Sequence, residues 1–380
     1  MRILPIRIEQ AGPGIDLKDL PVGLAVKLAN RVRSFTCVRN AVTLVFDLAG
    51  CEHVRLSFAA REYGDEPHAP PPGPFGDDAA FDGVAVSTDG TDWYEVQDLR
   101  HLHSLRFTDY DLDLDAASAA HGLSYGHEFR IRFCQCDDNP APMDGIFVHQ
   151  IQLTGDLRPP VFHLPMNENG ASPTLHDVAA GGLDQVFLDP GGDPSTAAHG
   201  VPGPQGTTGL AFDGVDDRID FGPALLADLV GEGRDFSLAF WYRTTADPGA
   251  NAKFFFRRAA SAAEPYVRNY VRFNCLYWQV GWGAGSVALC SPTGMLNGQW
   301  HHIVCRRRSA TLSLWVDGVA QDSRTDPNYA RNFSDLGWSA RAVGLTYTGG
   351  DESAWPFALA DLRAYDRALG DEEIAALANP

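Results

Sequence analysis

The sequence predicts an all-β protein built from two β-sandwich domains in tandem. A chain of 380 residues is long enough for two or three domains that each bury a full core. Its 38 glycines and 25 prolines fit a loop-rich chain of short strands better than a helical one. Two consecutive prolines, Pro159 and Pro160, mark the expected boundary, with a first domain over residues 1–158 and a second over residues 161–380.

In the first domain, apolar residues recur at every second position in several short segments. This alternation predicts strands with one face on a core and one face in water. The proline-rich stretch Pro67–Pro74 cannot be a central strand and predicts a loop. The clearest alternating segments are Val54–Phe58, Val84–Val86 and Phe129–Phe133.

Helix signals are rare in this chain. Residues 371–373 are all acidic, which favours the first turn of a helix, and Ile374 and Leu377 form an apolar pair on one helix face. We therefore predict a helix at the C-terminus. Residues 16–33 fit either a helix or a pair of strands, and Pro21 weakens the case for a long helix.

The order of elements in the first domain resembles jelly-roll modules of the galactose-binding-like and MAM-like kind. The phrases that carry this resemblance are Asp82–Trp93, Phe129–Phe133 and the closing strand Asp144–Leu153. Such modules often have an acidic residue in the last strand, where this chain has His149 and Gln150. That departure counts against the calcium site of those modules in this half.

The second domain contains five motifs that resemble, in order and spacing, the laminin G-like, concanavalin A-like β-sandwich family. The resemblance covers the chain from Val161 to its C-terminus. It implies a second jelly-roll sandwich, of a kind that usually binds sugars or proteins outside the cell and mostly does no chemistry. The motifs are Gly209–Phe221, Phe236–Tyr242, Gly298–Val304, Leu312–Gly318 and Ala360–Leu369.

Charge and hydropathy exclude several classes of partner. A net charge of −19 argues against nucleic acid and against anionic membrane surfaces, because both require clusters of Lys and Arg. No apolar run approaches the length of a membrane span, so we expect no membrane insertion. The start, Met1–Arg7, is interrupted by Pro5 and is not a secretory signal. A signal removed from this sequence, another route out of the cell and an intracellular location all stay open.

The cysteines give one candidate bridge. Seven is an odd number, so at least one thiol is unpaired. If a turn at Gly281–Ala284 pairs Val280 with Gly285, Cys275 lies opposite Cys290, as either a cross-strand bridge or two free thiols. Cys134 and Cys136 face the same way on one strand, but a lone C-x-C is a poor zinc signal.

Motifs for catalysis are present only in the wrong context. Gly122–Gly126 matches the G-x-S-x-G nucleophile elbow, yet the next element is a strand instead of the helix that the elbow requires. His301 and His302 are adjacent, so on a strand their rings face opposite sides and cannot share a metal. No pair of carboxylates has the spacing that glycoside hydrolysis needs. We therefore predict that the protein is not an enzyme.

Four aspartates alternate with apolar residues in the first domain. Their spacing places the carboxylates on one face of a strand. An EF-hand loop starting at Asp109 would need Gly and Glu where this chain has Leu114 and Ala120. An acidic outer strand face is the favoured interpretation, and a peripheral calcium is the alternative. The four residues are Asp109, Asp111, Asp113 and Asp115.

The laminin G-like resemblance implies Ca²⁺ as a cofactor of the second domain. Members of that family often hold the ion through loop oxygens near an early acidic segment and a late Asp-Leu-Arg-x-Tyr strand. Hard oxygen ligands of this kind suit calcium. The alternative is that the matching aspartates cap turns by binding backbone amides. The matching residues are Glu168, Asp177, Asp213 and Asp361.

Seven of the eight tryptophans lie in the second domain. Those within strand motifs, Trp241, Trp300 and Trp315, are expected in the core. Three others lie at a hairpin tip or in connections, where an aromatic face either contacts a sugar or protein or packs structurally. The candidate contact residues are Trp282, Trp338 and Trp355.

These observations favour a non-catalytic recognition or adhesion protein, extracellular or at a cell surface. Its expected partner is a glycan or a protein surface, and self-association into a homo-oligomer is compatible with that role. Two alternatives stay open, because fold does not fix function. The chain is otherwise a structural or receptor-facing protein of a virion or surface appendage, or the accessory binding region of a larger secreted carbohydrate-active enzyme.

Overall fold

The computed structural model describes most of the chain and confirms an all-β architecture. The described residues are 2–3, 7–11, 16–17, 24–28, 38–64, 66–103, 105–137, 145–168, 173–180, 182, 184–188, 200–214, 217–220, 233–246, 252–259, 266–282, 285–331, 338–344 and 356–379. They divide into two compact units, Met1–Arg158 and Pro159–Pro380. Within these ranges, no helix is long and apolar enough to cross a bilayer.

The first unit contains two antiparallel sheets that enclose one hydrophobic core. Its helix α1 spans Leu114–Ala120. The strands are β1 (Arg2–Ile3), β2 (Arg7–Ala11), β3 (Asp16–Leu17), β4 (Leu24–Leu28), β5 (Val38–Phe46), β6 (Cys51–Tyr63), β7 (Gly83–Ser87), β8 (Tyr94–Asp98), β9 (Thr108–Asp113), β10 (Phe129–Asp137) and β11 (Gly145–Leu157).

Each sheet of the first unit mixes strands that are distant in sequence. One sheet has the order β3-β4-β11-β6-β9, with β1 paired to β11, and the other has the order β2-β5-β10-β7-β8. Every second residue of the central strands faces a common core, for example Val42, Leu56, Ile131 and Val148. Within the ambiguous segment 16–33, the described residues form the antiparallel pair β3 and β4, so the strand interpretation is confirmed for them.

The outer face of the second of these sheets is covered, which the alternation did not predict. All five residues of β7 are buried, although Val84–Val86 was expected to have one wet face. The loop 66–82 lies over this face, and Phe75 and Phe81 pack with Ala85 and Trp93 in a small second core. The expectation that one side of β7 faces solvent was therefore wrong, because apolar residues of the loop 66–82 pack on that side.

The acidic strand face is confirmed for three of its four carboxylates. Asp109, Asp111 and Asp113 are exposed on β9, and Arg55 of the neighbouring β6 donates to Asp111 over 2.8 Å. The strand ends at Asp113, whose carboxylate accepts from the Ala116 amide and caps α1. Asp115 therefore leaves the strand.

The second unit is also a sandwich of two antiparallel sheets. Helix α2 spans Asp371–Ala378, as predicted. The strands are β12 (Phe162–Leu164), β13 (Thr174–Leu175), β14 (Gln185–Leu188), β15 (Gly200–Pro202), β16 (Thr208–Phe212), β17 (Arg218–Asp220), β18 (Phe236–Arg243), β19 (Ala252–Ala259), β20 (Tyr266–Arg272), β21 (Cys275–Trp282), β22 (Gly285–Cys290), β23 (His301–Arg308), β24 (Thr311–Val316), β25 (Val319–Thr325), β26 (Trp338–Gly344) and β27 (Phe357–Tyr365).

The two sheets of the second unit share one apolar core. One has the order β15-β16-β27-β18-β23-β24-β25, with β12 paired to β27, and the other has the order β13-β14-β17-β26-β19-β20-β21-β22. Phe240 from the first sheet and Trp278 from the second belong to the same buried cluster. Helix α2 closes a separate cluster on the outer face of the first sheet, where Ile374 packs with Trp315.

We predict that the two units fold independently. The chain leaves the first at Arg158, whose amide donates to Gly50, and enters the second at Val161, whose amide donates to Ala364. Residues 1–158 and 161–380, expressed separately, should each be soluble and unfold cooperatively in calorimetry. A half that is disordered alone while the full chain is folded would show that the units depend on each other.

Candidate functional site

The carboxylate of Asp361 contacts a histidine and an arginine side chain. Asp361 lies at a register shift between β18 and β27 and has a left-handed backbone with φ of 52°. One oxygen, Oδ1, lies 2.7 Å from His163 Nε2, and Oδ2 lies 2.9 Å from an amino nitrogen of Arg363. Burial alone would raise the pKa of Asp361, but the hydrogen bonds from His163 and Arg363 hold it below its ordinary value. Both carboxylate oxygens of Asp361 therefore have a partner among the described side chains.

Glu168 and Asp177 occupy a short segment that folds back on β12. Glu168 Oε1 accepts from the amide of His176 at 2.8 Å, and Asp177 Oδ1 accepts from the amide of His163 at 2.9 Å. The second oxygen of each carboxylate is buried, and no donor among the described residues reaches it. A buried carboxylate oxygen without a hydrogen-bond partner is costly, so these two oxygens distinguish Glu168 and Asp177 within the predicted quartet.

Asp213 has a different environment from the other members of the quartet. Its backbone amide donates to Asp217 Oδ2 over 2.7 Å, so Asp217, which is 4% exposed, caps this turn. Across the described part of the chain, no three His, Cys, Asp or Glu side chains are grouped as a metal would need. The four-carboxylate calcium site therefore stays a prediction, and Asp361 already contacts His163 and Arg363.

Three predicted tryptophan environments can be compared with the structure. Trp241 and Trp315 are buried as expected, at 9% and 8% exposure. Trp300 is only half-buried; its indole nitrogen donates to Pro202 O at 3.2 Å and the guanidinium of Arg243 lies 4.7 Å from its ring. The core assignment of Trp300 was wrong, because Trp300 precedes β23, which begins at His301.

Trp282 is the candidate contact residue that the structure describes in full. It is the last residue of β21 and is half-buried, with its ring centroid 5.7 Å from that of Tyr329. The indole therefore packs partly on the core at the end of the hairpin. Of the other candidates, Trp338 lies in β26, where only the backbone is described, and Trp355 lies outside the described residues.

The sequence missed an aromatic and polar surface on the outer face of β20, β21 and β22. Tyr270 and Tyr277 are directly opposed, and their rings stack at 4.8 Å with an interplanar angle of 3°. Beside them, Arg268 donates to Gln279 Oε1 at 2.7 Å, and Gln279 donates to Ser286 Oγ at 3.1 Å. These residues are named here the tyrosine face. Their alternation with buried Trp278 and Val280 was a signal that could have revealed it.

The predicted pairing of Cys275 with Cys290 was wrong by two residues. Strand β21 continues through Trp282, so Val280 pairs with Val287 and Cys290 pairs with Tyr277. Cys275 and Cys290 are free thiols. Cys136, in the first unit, is disulfide-bonded.

The serine motif and the histidine pair behave as the sequence indicated. Ser124 is exposed in the loop between α1 and β10, so the motif makes no strand-to-helix elbow. His301 pairs with Asp317 Oδ2 at 2.8 Å, whereas His302 is 3% exposed against Trp241, with ring centroids 5.1 Å apart. Burial lowers the pKa of His302 to about 4, so the ring is neutral at pH 7.

One comparison with known proteins bears on the fold of the second unit. Residues 213–375 match the family model of the concanavalin A-like lectin/glucanases superfamily, which agrees with the two-sheet sandwich described above. No curated protein matches the chain.

Several solved structures resemble the chain at low identity. One is the receptor-binding domain of botulinum neurotoxin C/D mosaic serotype, with 13% identity, a TM-score of 0.41, and coverage of 58% of this chain and 50% of that one. Another is the binding domain of Paraclostridial Mosquitocidal Protein 1, with 14% identity, a TM-score of 0.43, and coverage of 58% and 52%. The chain spans about half the length of these structures.

We predict that His302 makes the second unit sensitive to mild acid. The unfolded residue takes up a proton below about pH 6.5, whereas the folded one does so only near pH 4. Stability is therefore complete at neutral pH and falls between these values, by about 3 kcal/mol in all. The His302→Phe variant keeps a ring against Trp241 but has no group to protonate. Calorimetry from pH 4 to 7 should therefore show that its melting temperature depends less on pH than that of the parent protein.

The exposed His176 provides the matched control for this measurement. Its ring pairs with Asp184 at 2.9 Å, and its side chain is 63% exposed. His176→Phe should keep the acid sensitivity of the parent protein. Equal profiles for the parent and His302→Phe would contradict the assigned role of His302.

Proposed function

We propose that this protein recognises a glycan, or a protein surface partner, and does no chemistry on it. The main observation behind this proposal is the match of residues 213–375 to the concanavalin A-like superfamily model. This span runs from before β17 into α2 and covers most of the second sandwich. That superfamily contains both lectins and glucanases. Binding is favoured here because the buried acidic groups near β12 and β27 already hold amides, His163 and Arg363.

The end of the β21–β22 hairpin is the first candidate for the contact surface. Trp282 is held against Tyr329 and the core, and its half-buried state leaves part of the indole accessible. A preorganised aromatic ring loses little conformational entropy when a sugar or a peptide packs on it. The tyrosine face on the same strands is the second candidate, because its stacked rings adjoin fixed amide and guanidinium donors.

An extracellular or cell-surface location fits one covalent feature of the chain. Cys136 is disulfide-bonded, and disulfides persist mainly in oxidising compartments. Cys134 and Cys305 are buried free thiols, and burial raises the pKa of Cys134 to about 11 and that of Cys305 to about 12. Such protonated thiols are inert, so they are compatible with that environment.

We further propose that calcium, where it binds, is held by Glu168 and Asp177, without Asp361. Each contributes a buried oxygen that lacks a donor, and Asp177 is 9% exposed. Gly182 lies so close that an added Cβ would stand 2.4 Å from the carboxyl carbon of Asp177, which fixes that carboxylate in place. Calcium accepts carboxylate oxygens from separate segments in flexible geometry, and waters can complete its shell.

The calcium proposal predicts a concentration-dependent gain in stability. A cation that binds only the folded state raises the melting temperature by mass action, and chelation should lower it again. Asp177→Asn should lose this response, whereas Asp361→Asn should keep it even if its own stability falls. The proposal would be contradicted if elemental analysis finds no metal and the melting temperature does not change when chelator is added.

The recognition proposal predicts that removing the Trp282 ring at the hairpin end abolishes binding without unfolding the protein. Trp282→Ala should abolish binding on a glycan array while the fold is retained, with some loss of melting temperature because the ring also touches Tyr329. Trp282→Phe, which keeps an aromatic ring, should restore part of the binding.

Two controls locate the contact surface. Tyr277→Ala tests the tyrosine face on the same strand, and Phe273→Ala removes an aromatic ring that is 69% exposed at the opposite end of β21. Binding that survives Trp282→Ala but not Tyr277→Ala moves the site to the tyrosine face. Failure to retain any glycan or surface protein would contradict the recognition proposal.

A further inference from the structure

A polar cavity lies on the outer face of the first unit's second sheet. It has a volume of about 430 Å³ and opens beside the loop 66–82 that covers this face. Small-molecule sites in proteins commonly have volumes of about 300–1,000 Å³, so the space suits a compact ligand. Its walls are formed chiefly by Asp77, Asp89, Gly90, Trp93, Arg130 and Arg132.

The floor of the cavity is a buried guanidinium in a fixed position. Arg132, on β10, is 2% exposed, and its guanidinium carbon lies 3.7 Å from the centre of the Trp93 ring. It donates to Thr43 Oγ1 at 3.0 Å and to the Asp77 carbonyl at 3.0 Å. An ion pair between Arg132 and Asp77 Oδ1 completes this arrangement. Burying a charge is costly, and an apolar residue would cover Trp93 more cheaply.

The rim offers further charged groups, and each is oriented by local contacts. The side chain of Asp77 is 53% exposed, so its carboxylate also faces solvent while it holds Arg132. Asp89 Oδ1 accepts from the amides of Thr91 and Asp92 at 2.7 and 2.9 Å, which fixes that carboxylate in its turn. Arg130 donates to Glu128 Oε2 at 2.8 Å and is 13% exposed.

Gly90 allows the turn that contains Asp89 to lie close to the side chain of Arg130. Its φ of +78° favours glycine, and an added Cβ would stand 3.2 Å from Arg130 Nε. The guanidinium of Arg130 therefore lies against the backbone of the turn that holds Asp89. Acceptor and donor groups come together at one edge of the cavity as a result.

The balance of charges selects the class of ligand. A free anion would meet Asp77 and Asp89, and a free cation would meet Arg130 and Arg132, so neither is favoured. A neutral molecule with neighbouring hydroxyl groups can donate to the carboxylates and accept from the guanidinium at once. We propose that this cavity binds a neutral saccharide unit, as a site in the first unit that is separate from the recognition surface of the second.

A neighbouring cavity provides an internal contrast. It has a volume of about 480 Å³, and its walls include the proline run 70–74, Phe75, Tyr94 and His121. The rings of Tyr94 and His121 lie 4.8 Å apart. Its walls are more apolar, but they also include Glu95 and Arg100, and Arg100 donates to Glu95 Oε1 at 2.8 Å. This cavity therefore offers a saccharide unit one carboxylate and one guanidinium, where the first cavity offers two of each. Tyr94→Ala therefore tests whether binding occurs there instead.

The proposal is tested with the full chain and neutral methyl glycosides of glucose, galactose, mannose and fucose. Saturation-transfer NMR should show contact with at least one glycoside, and titration calorimetry should give its affinity. Arg130→Gln removes the rim guanidinium and should weaken that affinity about tenfold or more. Asp89→Asn, which keeps the turn's acceptor oxygen, should also weaken it.

Arg55→Gln is the matched control, because Arg55 is an exposed guanidinium paired with Asp111 on the other sheet of the same unit. It should leave glycoside binding unchanged. Every variant is measured in a Trp282→Ala background, which removes binding at the hairpin end of the second unit. Absence of contact with every glycoside would overturn the proposal. So would binding that is indifferent to Arg130→Gln, or binding lost in Tyr94→Ala with Arg130→Gln unaffected.

Discussion

The apolar core between the two sheets of the second unit is the constraint on which its surfaces depend. Alternate residues of β18, from Phe236 to Tyr242, are buried in it together with Trp278 and Val280 of β21. Because side chains on a strand alternate between faces, fixing the inner set also fixes the outer one, and a slip of one residue would exchange them. The tyrosine face and the half-buried Trp282 follow directly from this register.

The first unit obeys the same constraint and adds a second layer to it. Its inner core sets the register of β10, and Arg130 and Arg132 are placed on the outer face as a consequence. The loop 66–82 then covers part of that face, with Phe75 and Phe81 as its apolar anchors. A guanidinium that alternation alone would leave in water becomes the buried floor of a polar cavity.

The sequence predicted the features that depend on local pattern. The strands around Phe58, Phe133 and Phe240, the acidic first turn of α2 and the concanavalin A-like order of motifs were all visible, since each is a periodicity or a spacing. The outer side of β7 was misjudged because alternation reports one buried face and contains no information on which distant loop returns to cover the other.

Long-range pairings limited what could be predicted for the site. Asp361 was a reasonable calcium ligand from its motif, but the sequence could not show that His163 would lie 2.7 Å from its carboxylate. The cysteine register failed for a related reason. Residues 281–284 have the composition of a turn, yet β21 continues through Trp282, and a shift of two residues separated Cys275 from Cys290. Trp300 likewise belongs to a strand motif but precedes the strand itself.

Recognition without turnover is tested most directly by recovering the bound molecule. A glycan captured by the full-length protein would be incubated with it for hours at saturating protein concentration, released by denaturation, and measured by mass spectrometry and by reducing-end assay. The structure predicts recovery of the unchanged glycan, with no new reducing ends above a protein-free control. Progressive appearance of shorter fragments, in proportion to protein concentration, would contradict the role assigned to both units.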